Sequence, residues 1–135
     1  MNNILLDTHI LVWLMNDDPT LTEKEKNLIR NTTKNNLLII SAISIWEISL
    51  LVSKGKIVIN QEIYQWTNSL LSLPYMRLIP IDANIAIQSC NLPGLIHTDP
   101  ADRMIIATSR ILDIPILTRD KEILKYATQN FIKVC

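Results

Sequence analysis

The sequence predicts a single three-layer α/β/α domain, spanning residues 1–135, with helices on both faces of a central parallel sheet of four to five strands. Three observations carry that prediction. Short runs rich in Ile, Leu and Val recur along the chain, each too uniformly apolar to keep one face in water. Stretches with helical periodicity and recognisable caps separate them, which is the alternation a parallel sheet needs. Finally, 135 residues at 48% hydrophobic and 19% charged suffice for one core without disulfides, and no linker, repeat or low-complexity tract divides the chain.

The elements follow in order. Ile4 to Leu6 reads as a buried strand and Thr8 to Met15 as the helix behind it. Asp17-Asp18-Pro19 is a loop, after which Thr20 or Thr22 caps a charged helix running to about Arg30. Leu37 to Ile40 is a second strand. Ser41 caps the helix Ala42 to Ser53, and Gly55 supplies the left-handed residue that ends it. Gln61 to Leu73 is an amphipathic helix stopped by Pro74. Leu78 to Ile81 is the third strand, and Asp82 caps a helix reaching Cys90. A loop with Pro93 and Gly94 leads to the helix Pro100 to Leu112. Ile114 to Thr118 is the fourth strand, Lys121 to Ala127 a short helix, and Phe131 to Val134 a final strand.

Composition narrows the function. Cys90 and Cys135 form no CxxC pair, which suits a reducing compartment. The first residues lack a basic n-region and a cleavable apolar segment, and no apolar run reaches membrane-spanning length, so a cytoplasmic protein is expected. Two glycines leave no room for a phosphate-binding glycine loop, two histidines argue against a histidine-rich zinc site, and no GxSxG elbow occurs. Net charge is zero, which at first speaks against a nucleic-acid partner. If four of the thirteen acids are gathered in one site, however, nine remain against thirteen basic residues, a surplus of four elsewhere on the surface.

The acids are placed to form such a site. Ligands bind beyond the carboxyl ends of the strands in this class of sheet, and Asp7 and Asp120 follow the first and fourth strands there. Either could serve only as a helix N-cap. Asp102, in the first turn of its helix, could merely complement the helix dipole. Glu47 is harder to dismiss: it lies amid Trp46, Ile48 and Leu51, and the positions three and four residues away are Ile43, Ser44, Leu50 and Leu51, with no basic partner. Asp99-Pro100-Ala101-Asp102 is a helix start, so Asp99 reads as an N-cap ahead of a metal ligand. Carboxylates gathered at one edge repel one another, and a hard divalent cation such as Mg²⁺ or Mn²⁺ relieves that repulsion while keeping waters for a phosphate substrate. The chemistry to expect is metal-assisted phosphodiester hydrolysis. His97, near Asp99, is a candidate for orienting substrate, though a loop histidine is more often incidental.

Four segments, Leu5-Leu6-Asp7-Thr8-His9, Ser44-Ile45-Trp46-Glu47-Ile48, His97-Thr98-Asp99-Pro100-Ala101-Asp102-Arg103 and Leu117-Thr118-Arg119-Asp120, together resemble a PIN domain, specifically the VapC-type toxins of bacterial toxin–antitoxin pairs. The resemblance covers nearly the whole chain, with the motifs in family order. It implies Asp7, Glu47, Asp102 and Asp120 as an acidic quartet holding Mg²⁺ or Mn²⁺, endoribonuclease activity on RNA, homodimerisation and inhibition by a cognate antitoxin. Thr8 and Thr118 are then hydroxyls that orient carboxylates or water. Arg103 and Arg119 either contact phosphate or form surface ion pairs, such as Asp99 with Arg103. Two other functions fit parts of the pattern: a receiver-like phosphoacceptor domain, which also places Asp7, Asp82 and Thr118 at strand ends, and a catalytically silent PIN-like interaction module. The receiver lacks a further acid beside Asp7 and a lysine after the last strand. For partners, the apolar Ile43 to Val52 helix and the helix carrying Ile63, Trp66, Leu70, Leu71 and Leu73 are expected to form a groove for an antitoxin segment, with a separate apolar face for the homodimer.

Overall fold

The computed structural model describes residues 2–96 and 99–135. Its strands are β1 (Ile4–Leu6), β2 (Leu38–Ser41), β3 (Met76–Ile79) and β4 (Ile116–Leu117). Its helices are α1 (Thr8–Met15), α2 (Glu23–Thr33), α3 (Ala42–Ser53), α4 (Ile63–Leu71), α5 (Ala83–Cys90), α6 (Pro100–Leu112) and α7 (Lys121–Ala127). The sheet runs β3-β2-β1-β4 with every pairing parallel, Leu5 lying between Ile39 and Ile116.

Side-chain alternation along these strands builds two cores. Ile4, Leu6, Leu38, Ile40 and Leu117 point to one face, where they pack with Ile10 and Leu11 of α1, Ile48 of α3, and Trp66 and Leu70 of α4. Leu5, Ile39 and Ile116 point to the other, against Ile105 and Ile106 of α6 and Ile123 and Tyr126 of α7. Strands β1, β2 and β4 are therefore buried on both sides, which is why their sequences are so uniformly apolar, while the edge strand β3 exposes Arg77. Helix α5 lies against α6. No helix among the described residues is long and apolar enough to cross a membrane.

The caps are largely those the sequence announces. Thr22, not Thr20, begins α2, in a reciprocal capping box with Glu25. Helix α3 closes in a Schellman motif: Gly55 at φ +69° donates to the Val52 carbonyl, and Lys56 to that of Leu51. Asp99 is the N-cap of α6, accepting from the Asp102 amide at 3.1 Å, with Pro100 in the first turn.

Three expectations change. The third strand is Met76–Ile79, two residues earlier than Leu78 to Ile81, because pairing with Leu38–Ser41 starts soon after the turn at Pro74. The final strand shrinks to a single parallel bridge between Val134 and Ile116, so four strands form the sheet. Most consequential for partners, Trp66 and Leu70 do not line a surface groove: they are 2% and 0% exposed and belong to the core under β1 and β2. The large apolar side chains that these helices expose are Trp46 on α3 and Tyr64 and Leu71 on α4.

Candidate active site at the carboxyl edge of the sheet

The parallel sheet presents the carboxyl ends of β1 and β4 side by side, joined by the Asp7 amide donating to the Leu117 carbonyl at 3.0 Å. Asp7 and Thr118 follow these two ends directly. Asp7 is buried, and both of its carboxylate oxygens are engaged: Oδ1 accepts from the Thr8 amide at 2.8 Å and Oδ2 from the Thr118 hydroxyl at 2.6 Å. The Thr118 oxygen in turn accepts from the Asp120 amide at 2.9 Å. Asp120 caps α7, its Oδ1 accepting from the Glu122 and Ile123 amides. One hydroxyl thus sets the spacing between two of the predicted acids.

Thr8 has a different task from Thr118. Its hydroxyl is fully buried and lies 2.8 Å from that of Ser44 on α3, one helical turn before Glu47. That bond ties the start of α1 to the helix carrying Glu47. Glu47 itself is half-buried and Trp46 beside it is more than half exposed, so the carboxylate is less enclosed than the apolar run around it suggests. Ser44 was not anticipated as a site residue, although a hydroxyl three residues before Glu47 on an apolar helix was the available signal.

The electrostatics bring the acids together. Burial pushes the Asp102 carboxyl up to about 8, and the negative charges of Asp120, Asp99, Asp7 and Glu47 add to that rise. Asp7 is also raised, chiefly by burial and further by Asp120, while its bonds from Thr118 and Thr8 pull the other way. All four predicted quartet members, and Asp99 with them, therefore share one field. Among the described residues, no three His, Cys, Asp or Glu side chains are close enough to enclose a metal ion. The donors are hard oxygens whose mutual repulsion a divalent cation would relieve, so the residues suit Mg²⁺ or Mn²⁺ by their chemistry.

The arginines are anchored. Arg103 Nε donates to the Ser89 carbonyl at 2.8 Å, holding α6 to the end of α5. Arg119 makes a two-pronged ion pair with Glu25, Nε to Oε2 at 2.9 Å and a terminal nitrogen to Oε1 at 2.5 Å. Its guanidinium also lies 4.8 Å above the Trp13 ring centroid. This pair holds the Glu25 carboxyl down at about 2. A cleft of about 150 Å³ is lined by Asp7, His9, Trp13, Arg119 and Asp120. His9, exposed at the first turn of α1 and 6.0 Å from Trp13 between ring centroids, is a wall of this cleft that sequence reading did not single out. The candidate His97 lies outside the described residues.

Comparison with known proteins identifies the family and the fold. Residues 4–129 match the family described as PIN domain. Over 123 residues the chain is 26% identical to the ribonuclease VapC22 of Mycobacterium tuberculosis (strain ATCC 25618 / H37Rv), covering 91% of each chain. Among solved structures it is similar to one of VapBC2 from Rickettsia felis bound to a DNA fragment from their promoter (TM-score 0.69, 22% identity, 100% and 98% coverage). It is also similar to a toxin–antitoxin complex from Klebsiella pneumoniae (TM-score 0.62, 22% identity, 89% of each chain).

Proposed function

The chain belongs to the PIN-domain family, and from that premise we propose that it is a metal-dependent endoribonuclease acting as the toxin of a toxin–antitoxin pair. The observation that carries the chemistry is the field at Asp102, raised to about 8 by burial and by four neighbouring carboxylates. A fold gains nothing from such a concentration of like charge unless a cation uses it. The kinship with a ribonuclease directs the chemistry to RNA. The same family match leaves the receiver-like alternative without support.

Asp7, Glu47, Asp102 and Asp120 are the residues that would hold Mg²⁺ or Mn²⁺. A bound ion supplies a water of lowered pKa and a clamp on the phosphoryl oxygens. The remaining work belongs to the chain. Thr118 fixes Asp7 Oδ2 and the Asp120 backbone in one geometry, the Thr8–Ser44 bond fixes the position of α3 and so of Glu47, and Asp99 holds the first turn of α6 so that Asp102 faces its neighbours. The antitoxin contact falls on the exposed apolar side chains of α3 and α4, Trp46 and Tyr64, and a separate face makes a homodimer.

The deciding experiment uses purified protein and a structured RNA. Cleavage should require Mg²⁺ or Mn²⁺, stop with EDTA, and fall by orders of magnitude in Asp7→Asn, Glu47→Gln and Asp102→Asn variants that remain folded. Cleavage at the same bonds in EDTA would falsify the assignment.

A further inference from the structure

We propose that Glu25 is a positioning residue of the carboxylate site, acting through Arg119 on the Thr118–Asp120 segment; the inference rests on the metal-dependent reading above. Strand β4 ends at Leu117, so the ladder to β1 has stopped before the residues that matter. Beyond that point the segment is held by side chains. Thr118 and Asp120 bind inward, toward Asp7 and the α7 amides. Arg119, between them, binds outward, and its hold is multiple. Both prongs of its guanidinium meet Glu25, one terminal nitrogen also donates to the Thr20 carbonyl, and the plane rests on Trp13.

Glu25 is an unusually firm anchor for that fork. Its side chain is 14% exposed, and it occupies the third position of α2, where Oε1 also accepts from the Thr22 amide and hydroxyl at 2.8 and 3.0 Å. The capping box that starts α2 therefore has a second use. It immobilises a carboxylate 94 residues away in sequence from the arginine it grips, and a planar fork held at both prongs leaves the backbone of residue 119 little freedom. Fixing that backbone keeps the Thr118 hydroxyl on Asp7 and the Asp120 amide on Thr118. Loss of the grip would loosen the carboxylate spacing before it loosened the fold.

Two variants of opposite charge separate positioning from simple electrostatics. Glu25→Gln removes a negative charge and keeps a residue that still closes a capping box. Arg119→Gln removes a positive charge beside Asp7 and Asp120, which by charge alone should tighten cation binding. Mn²⁺ affinity is read from the free-ion EPR signal, below the unfolding temperature of every variant, and Glu62→Ala, which removes the N-cap of α4, a helix that carries none of the site's acids, serves as the control for lost capping. Positioning predicts that both glutamine variants weaken Mn²⁺ binding by roughly ten-fold or more, while Glu62→Ala lowers thermal stability and binds Mn²⁺ like the wild type. Tighter binding by Arg119→Gln, unchanged binding by both, or an equal loss in Glu62→Ala overturns the inference. If Glu25→Gln yields no folded protein, Arg119→Gln decides alone. A wild type that binds no Mn²⁺ ends this inference and the metal-dependent reading together, whereas a wild type that binds with both glutamine variants unaltered ends only this one.

Discussion

Asp99 and Asp102 sit in one turn of α6 and carry the same functional group, yet their substitutions should act in opposite directions. Asp99 accepts the Asp102 amide as N-cap, so Asp99→Ala should cost roughly 0.5–2 kcal/mol, read from urea denaturation. Asp102 is half-buried among like charges, and its folded-state carboxyl lies near 8, far above the ordinary aspartate value. A raised acid contributes stability below its unfolded pKa and loses that contribution as pH rises through the folded one. In EDTA, the unfolding midpoint of the wild type should therefore fall between about pH 4 and pH 8, and Asp102→Asn should flatten that decline and stabilise the metal-free protein at pH 8. Glu25 runs the other way. Its carboxyl is held at about 2 by Arg119, so the stability of that pair is intact above its ordinary range near 4.5 and is lost as pH falls toward 2. At this scale the sequence was informative about caps and acids, because helix starts and strand ends are local signals. The partners of Arg119 were not legible: Glu25 lies 94 residues away, and neither residue's neighbours hint at the other. His9 escaped notice for a similar reason, since only the folded cleft sets it beside Asp120.

Helices α3 and α4 show where reading by element succeeds and fails. Their existence, the Ser41 cap and the Gly55 stop follow from composition alone, and the structure bears them out. Which face each helix buries does not. Along α3 nearly every residue is apolar, so periodicity carries almost no directional information. The fold chooses Ser44 and Ile48 for the inside and leaves Trp46 in solvent. On α4 the amphipathic pattern was clear, yet Trp66 and Leu70, expected to meet a partner, fill the core beneath the sheet. Ile48→Ala should thus cost ~2–5 kcal/mol, whereas Trp46→Ala should move stability by no more than about 0.5 kcal/mol. Coexpression of each with the product of an adjacent antitoxin gene should reverse the ranking: Trp46→Asp should weaken the copurified complex while leaving the free domain folded. An unaffected complex would move the partner surface away from α3. The misplaced third strand has a simpler cause. The expected span Leu78 to Ile81 runs through Pro80, which cannot donate to a ladder, and the pairing with β2 instead covers Met76 to Ile79 and stops ahead of that proline.

For the molecule as a whole, the parallel α/β layering was legible because strands buried on both faces leave a distinctive uninterrupted apolar signature, while the strand order β3-β2-β1-β4 was not. Order depends on which helices cross which face, and no single segment encodes it. The four acids come from separate segments spanning both layers: the ends of β1 and β4, the middle of α3 and the start of α6. An ion gathering them would bridge the two cores, so saturating Mn²⁺ should raise the melting temperature. Occupancy at a hundred times the dissociation constant would add about 2.7 kcal/mol, and Asp7→Asn should abolish most of the shift. The same cluster alters what zero net charge means. That figure counts every carboxylate as ionised, but with Asp102 near 8 the metal-free molecule at neutral pH carries most of one extra proton and a charge approaching +1. Ligation requires the ionised carboxylate, so uptake of one divalent ion should expel roughly one proton and leave the molecule at about +2. Uptake of the ion is therefore also an acidification of the solvent, and its calorimetric heat should change with the ionisation enthalpy of the buffer.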